Sequence, residues 1–313
     1  MKKQFLGFIL LLLITVPLLS ACDEGIDMIF DALDSIETEG DSFNDNKEAL
    51  ITDEEVEGLR VHFIDVGQGD SILMETEDTV VLIDAGDWTG DEVVPYLEAQ
   101  GISKIDLAVG THEHADHIGQ LDEVINHFDV SEVWMPGNEH TSQVYERVLN
   151  AIYENEVVYH EPKAGENYDI GDIHFELYNP IELTGDYNDD SIVMKASYGD
   201  VSFMLTGDAE KRAEAEMVGS GADLDATILK AGHHGSNTSS TDEFVKAVSP
   251  EVVIMSYGKD NKYNHPNGST LDIFNQYDVE MYGTEPHGTI IIDTDGKAFK
   301  ITTEKEGTVE SGD

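Results

Sequence analysis

Apolar positions along the chain fall into short runs of strand length, separated by polar turns and by longer stretches with helical spacing. Residues 59–66, 72–74, 79–83 and 105–109 read as strands, and 91–100 as a helix stopped by Gly101. Helices are predicted over 120–128 and 141–153, with strands at 132–135 and 157–159. The clearest alternation lies in 172–178, where Ile173, Phe175 and Leu177 interleave with His174, Glu176 and Tyr178, which puts His174 on the solvent face. The second half repeats the style. Strands at 192–197 and 201–205 are joined by Tyr198-Gly199-Asp200, and further strands are predicted at 226–229 and 252–256. Helices fall at 209–218 and 241–248, and 288–293 pairs with 298–302 in a closing hairpin around Asp295-Gly296. Strands alternating with helices from 58 to 303 predict an α/β (α+β) domain, and 304–313 is expected to be a disordered tail.

Polar chemistry gathers where these strands end. The 105–109 strand delivers Thr111-His112-Glu113-His114-Ala115-Asp116-His117-Ile118-Gly119. Three imidazoles and a carboxylate within six residues are costly to gather unless a cation holds them. Residues two apart on extended chain point the same way, so His112 and His114 suit one ion, while Asp116 and His117 turn towards a second. Two ions about 3.5 to 4 Å apart are the expectation. The 201–205 strand likewise ends in Thr206-Gly207-Asp208, and the 226–229 strand runs into Lys230-Ala231-Gly232-His233-His234-Gly235-Ser236. Adjacent histidines bounded by glycines suit a ligand loop. Asp84 also closes a strand, whereas Asp70, in the Gly-rich turn 67–71, reads first as an ordinary turn residue. His265, fixed by Pro266, is a candidate for phosphate or oxyanion contact, with Ser236 as a second substrate-binding candidate. His62, His127, His140 and His160 have no ligand-like company in sequence.

The front end is of another kind. Lys2 and Lys3 precede an apolar run from Phe5 to Leu19 and then Leu19-Ser20-Ala21-Cys22, the pattern of a secretory signal over 1–21. A Cys directly after such a site resembles the lipobox of bacterial lipoproteins. Cys22 is the only cysteine in the chain, so acylation explains it better than a disulfide and thiolate is removed from the possible metal ligands. The expectation is an exported protein, lipid-anchored through Cys22 to the outer face of the bacterial cytoplasmic membrane. Residues 22–57 form an acidic spacer. Within it, Ile26, Ile29, Phe30, Leu33 and Ile36 recur at helical spacing.

Charge narrows the partners. The chain has 65 Asp and Glu against 17 Lys and Arg, a net charge of -48. Residues 22–57 hold 14 of the acids and one Lys and the signal two Lys, which leaves -37 to the domain. With only Arg60, Arg147 and Arg212, such a surface repels long polyanions and anionic lipid unless cations screen it.

The 111–119 run resembles the signature of the metallo-β-lactamase superfamily. Asp65-Val66-Gly67-Gln68-Gly69-Asp70-Ser71, Thr206-Gly207-Asp208, Gly232-His233-His234-Gly235-Ser236 and His265-Pro266 resemble the branch typified by the hydrolase domain of ComEC-type competence proteins. The resemblance covers about 59–303 and implies a four-layer αββα sandwich with metals at one edge between the sheets. It implies that His112 and His114 hold the first metal, Asp116 and His117 the second, that Asp208 bridges, and that the His233-His234 pair completes the second shell, His233 being preferred. Many members place another His shortly before the bridging acid. This chain has none between His174 and His233, so Asn188, Asp189 or water is the expected supplement to the first metal.

Such a site implies a hydrolase with two divalent ions, Zn or Mn first, which supply a metal-bound hydroxide. Asp116 is expected to orient water as well as ligate. Hard ligands without Cys suit a phosphodiester substrate, DNA or a nucleotide, with a phosphorylcholine ester or another ester as the alternative. A non-enzymatic reading, a cell-surface binding or DNA-uptake accessory, is tested by turnover. No protein partner is inferable.

Overall fold

The computed structural model describes residues 58–313, so the signal segment, Cys22 and the acidic spacer lie outside the described residues. The first half supplies β1 (Leu59–Phe63), β2 (Ile72–Glu75), β3 (Val80–Ile83), α1 (Val93–Ala99), β4 (Lys104–Ile105) and β5 (Leu107–Val109). There follow α2 (Leu121–His127), β6 (Asp129–Val130), β7 (Glu132–Trp134), α3 (Gln143–Glu154), β8 (Val158–His160), β9 (Asn167–Ile170) and β10 (Ile173–Asn179). The second half adds β11 (Val193–Tyr198), β12 (Val201–Leu205), α4 (Lys211–Ser220), β13 (Ile228–Lys230), α5 (Asp242–Val248) and β14 (Val252–Met255). Last come α6 (Gly268–Gln276), β15 (Glu280–Gly283), α7 (Thr284–His287), β16 (Ile290–Thr294) and β17 (Phe299–Thr303).

These strands form two large sheets, ordered β17-β16-β1-β2-β3-β5-β7-β8 and β15-β14-β13-β12-β11-β10-β9, with β4 and β6 as a separate pair. The period of two explains the layers. Leu59, Val61 and Phe63 of β1 share the inter-sheet core with Phe175 and Leu177 of β10 and Phe203 and Leu205 of β12. Leu73 and Leu82 face the other way and pack against Val93, Leu97 and Val124 of α1 and α2. Across the second sheet, Met204, Leu229 and Val253 meet Met217 of α4, Phe244 of α5 and Phe274 of α6. Helix, sheet, sheet and helix therefore stack in the αββα order that the family resemblance implies.

Each sheet is antiparallel on one side and parallel on the other, with β3, β5, β7 and β8 parallel in one and β12 to β15 parallel in the other. The carboxyl ends of β3, β5, β12 and β13 are where Asp84, His112, Asp208 and His234 follow, which is where open parallel sheets collect ligands. Among the described residues no helix is long and apolar enough to cross a membrane.

Two expectations are corrected. The strand predicted over 59–66 ends at Phe63: Ile64 N donates a last ladder bond to Ser71 O, and Asp65 to Gly69 beyond it form a loop. Residues 304–313 are not a frayed tail. They run back over the domain: Lys305 N donates to His287 O and Gly312 N to Pro266 O, both at 2.8 Å, and Val309 packs on the second helical layer. Gly268 N, a free amide at the start of α6, donates to Asp313 Oδ1 at 3.0 Å, where a helix N-terminus favours a carboxylate.

Phe175 is fully buried between the sheets. Replacing it with Ala is expected to cost about 3–5 kcal/mol in urea unfolding. A loss under about 1 kcal/mol would show that the two sheets do not close over it.

Candidate metal centre

Five loops bring the polar side chains together at one edge of the sandwich. Two groups converge, His112, His114 and Asp208 in one and Asp70, His117, Asp208 and His234 in the other, with donor atoms within 4.8 Å of each other in each group. Asp208 belongs to both. Its Oδ1 lies 3.2 Å from His117 Nε2 and 3.5 Å from His234 Nε2, and its Oδ2 lies 3.7 Å from His112 Nε2. In the first group His112 Nε2 and His114 Nδ1 face each other at 3.0 Å.

Hydrogen bonds on the far side of the rings fix which nitrogen is offered. His117 Nδ1 donates to Asp84 Oδ2 at 2.7 Å, and Asp84 is itself held by the N–H and hydroxyl of Thr111 at 2.7 and 2.8 Å. His234 Nδ1 donates to Ser256 O at 2.9 Å. Both leave Nε2 directed at Asp208, the arrangement of a metal-ligating imidazole with its outer partner in place.

The donors fit a divalent cation. His117 Nε2, His234 Nε2, Asp208 Oδ1 and Asp70 Oδ1 are buried without a hydrogen-bond partner, and each such orphan costs about 1–3 kcal/mol. Electrostatics point the same way. Burial opposes charging His117, yet Asp208 and Asp84 carry its pKa well above the usual range. Against the same burial, Asp208, Asp116 and Asp70 lift His234 to about 10. Burial also disfavours the charged Asp208, but His117 and His234 hold its pKa well below the carboxylate range. Burial, with His117 adjacent, keeps His112 neutral. Positive charge is thus favoured between Asp208 and the imidazoles.

A cleft of about 340 Å³ opens over the groups, lined by Gln68, His114, Asp116, His233, Tyr263 and His265 among others. Asp116 is 27% exposed, with Oδ2 3.6 Å from His234 Nε2. His265 is buried with Nδ1 unpartnered, and burial together with His234 and His233 lowers its pKa to about 4, so it is neutral at physiological pH.

The comparisons agree with this geometry. Residues 64–259 match the family model described as the metallo-beta-lactamase superfamily. The chain belongs to that superfamily. The fold is similar to that of a metallo hydrolase from the archaeon Ignicoccus hospitalis, at TM-score 0.51 and 15% identity over 75% of this chain and 99% of that one. YhfI of Bacillus subtilis is similar at TM-score 0.52 and 12% identity, over 75% and 98%. Among curated relatives, ComE operon protein 3 of Bacillus subtilis is 33% identical over 250 residues, 74% of this chain and 32% of that protein. Recombination protein 2 of Haemophilus influenzae is 27% identical over 238 residues, 74% and 28%. The chain therefore spans about a third of the length of these relatives. It carries the fold of that superfamily, with a His and Asp cluster suited to divalent metals.

Set against the superfamily pattern, several expected roles move. It is His234 and not His233 that enters the second group: both residues adopt left-handed backbone (φ 57° and 47°), which turns their side chains apart. His233 Nδ1 instead donates to Glu210 Oε1 at 3.0 Å, and its Nε2 lies 3.7 Å from Asp208 Oδ2 at the cleft wall. Asp189 does not supplement the first group, whereas Asn188 keeps its buried Oδ1 without a hydrogen-bond partner. Asp189 Oδ1 accepts from Glu210 N and Ala213 N at the start of α4, and Asn188 Nδ2 donates to Glu210 Oε1 at 3.3 Å. Ser236 is 5% exposed, and its hydroxyl is engaged with Thr238 at 2.9 Å rather than lining the cleft. His140 has company that sequence does not show: it meets Tyr187 edge-on at 4.8 Å, and Tyr187 in turn meets His114 at 5.7 Å.

Sequence reasoning underrated Asp70, and it passed over Glu210 and Lys230. The signal for Lys230 was a charged residue closing an otherwise apolar strand. Its Nζ is 1% exposed and 2.8 Å from Asp70 Oδ2. Burial works against the charged Asp70, but Lys230 holds its pKa well below the usual range.

Glu113, between the two first-group histidines, is 1% exposed, and neither carboxylate oxygen has a partner. Burial raises its pKa from 4.5 to about 7. The folded chain then keeps a proton that the unfolded chain releases between those values, so stability falls as pH rises through that window. In metal-free protein, Glu113→Gln is expected to remove this slope and to gain on the order of 3 kcal/mol at pH 8 relative to pH 4. Parallel melting curves of the two proteins from pH 4 to 8 would contradict the assignment.

Proposed function

We propose that the chain is a dinuclear metal-dependent phosphodiesterase, exported and held at the outer face of the cytoplasmic membrane by lipid on Cys22. The observation that carries the chemical part is the division of Asp208, whose two oxygens face two separate sets of imidazoles. On this reading His112, His114 and Asp208 would hold one ion, and His117, His234 and Asp208 would hold the other, with Asp116 the exposed acid beside them. Zn and Mn both suit such donors. When bound, a pair of such ions supplies Lewis acidity and lowers the pKa of water to about 7.

The chain's own groups then have distinct tasks. Asp208 and the Asp84-braced His117 fix the spacing of the two positions. Asp116, the most exposed acid of the cluster, orients the attacking water and accepts its proton. Neutral His265 holds a phosphoryl oxygen by hydrogen bonding without adding charge. His233, braced by Glu210, stands edge-on beside His265 and next to Asp208. Among the described residues no Lys or Arg lines the cleft, so bound ions would supply the charge that neutralises a phosphate. No serine nucleophile is required, and Ser236 is committed to Thr238.

The names of the relatives, ComE operon protein 3 and recombination protein 2, support DNA or a nucleotide over a phosphorylcholine ester as the source of the phosphodiester. The test uses metal-free full-length chain in detergent, given Zn or Mn and offered bis-p-nitrophenyl phosphate beside a chromogenic β-lactam. Phosphodiester turnover is expected to return with metal and to fall at least about 10³-fold in Asp208→Ala and Asp116→Ala. A chain that binds metal, turns over neither substrate and loses only thermal stability in those variants would favour the binding-accessory role.

A further inference from the structure

Beneath the second group lies an ion pair that the roles above leave unused. Lys230 ends β13 in one sheet, and Asp70 sits in the β1–β2 loop of the other, so their 2.8 Å contact joins the two halves of the sandwich. Both are almost fully buried, and the ammonium has Ala231 O as its other acceptor at 2.9 Å. Asp70 is placed by its backbone as well: Asp70 N donates to Asp116 O at 3.1 Å, and Gly86 N donates to Asp70 O at 2.8 Å. The metal-bearing loop and the Asp84 turn thus both grip it.

The direction of the carboxylate decides its role. Asp70 Oδ1 lies 3.5 Å from His234 Nδ1, and Oδ2 lies 4.0 Å from His117 Nδ1. It therefore approaches the proton-bearing edges of the two rings, opposite the Nε2 atoms that face Asp208. A carboxylate there makes the opposite nitrogen a better donor, as outer partners of metal-bound imidazoles do. Left alone it would be a buried charge without compensation, which is strongly destabilising.

We propose that Asp70 and Lys230 are a positioning pair for the second metal: Asp70 orients and polarises His117 and His234 from behind, and Lys230 holds Asp70 in place. The inference rests on the two-ion reading above. It gives Asp70 a place behind the ligands rather than among them, although its distance alone would admit it to the second group.

The test is a cycle of Asp70→Asn, Lys230→Met and the double variant in the full-length chain, read by Zn uptake in competition with a chromogenic chelator and by thermal melting. Each single variant leaves one buried charge unpaired and is expected to melt lower than wild type. The double variant removes both charges and is expected to regain the wild-type melting temperature, yet to bind its second Zn equivalent ten- to a hundredfold more weakly, with the first unchanged within about twofold. A double variant that binds both equivalents as tightly as wild type would reduce the pair to a brace for the fold and overturn the proposal, as would equal weakening of both equivalents. A wild-type chain that takes up a single equivalent sinks the two-ion reading itself, and that result is visible before any substitution is made.

Discussion

Burying Asp70, Asp84 and Asp208 in one corner of the sandwich, against a single buried Lys, is the constraint from which the rest follows. Carboxylates removed from water must be met by cations or by fixed dipoles. The protein meets Asp84 with the Thr111 amide and hydroxyl and with His117, and Asp70 with Lys230. Asp208 alone faces only imidazoles on both of its oxygens. That residual demand makes the corner a metal centre and not simply a salt-bridged core.

The fold supplies the meeting place. Ligands come from loops after β5, β12 and β13 and their brace Asp84 from the loop after β3, strands that lie inside two different sheets. Because Leu59, Val61 and Phe63 pack against Phe175 and Phe203, the sheets are held face to face and the loops at one edge cannot drift apart. The hydrophobic layer between the sheets thus sets distances among polar atoms that it never touches.

Much of this was legible in the chain. Strand ends carrying His112, Asp208 and the His-His loop announced the site, because an apolar run that stops at a cluster of ligating side chains has few other uses. Alternation and the spacing of helices gave an α/β domain, and the layer order came from the resemblance of the 111–119 run and its companion motifs to a known family. What stayed hidden depended on partners distant in sequence. The strand Asn167–Ile170 is only four residues long, and its Tyr168 and Ile170 reach the core through pairing with β10. The helix Gly268–Gln276 opens on Gly, Ser and Thr, weak helix formers, and is held by burial of Leu271 and Phe274. The choice between His233 and His234 turned on two left-handed residues in succession, a backbone state that identity alone does not reveal. Asp70 looked like a turn residue until a lysine 160 positions away was found beside it.

That pair of left-handed histidines has one more consequence. Non-glycine residues in this region cost of order 1–3 kcal/mol each, and here the flanking glycines let the loop close: a Cβ on Gly235 would lie 2.7 Å from Pro266, and one on Gly232 would lie 2.9 Å from Ala209 O. The strain is therefore absorbed when the chain folds. His234 already offers Nε2 in its final direction, so capturing an ion demands no rearrangement of the loop, and the affinity of the centre is preorganised instead of being diminished by an induced fit.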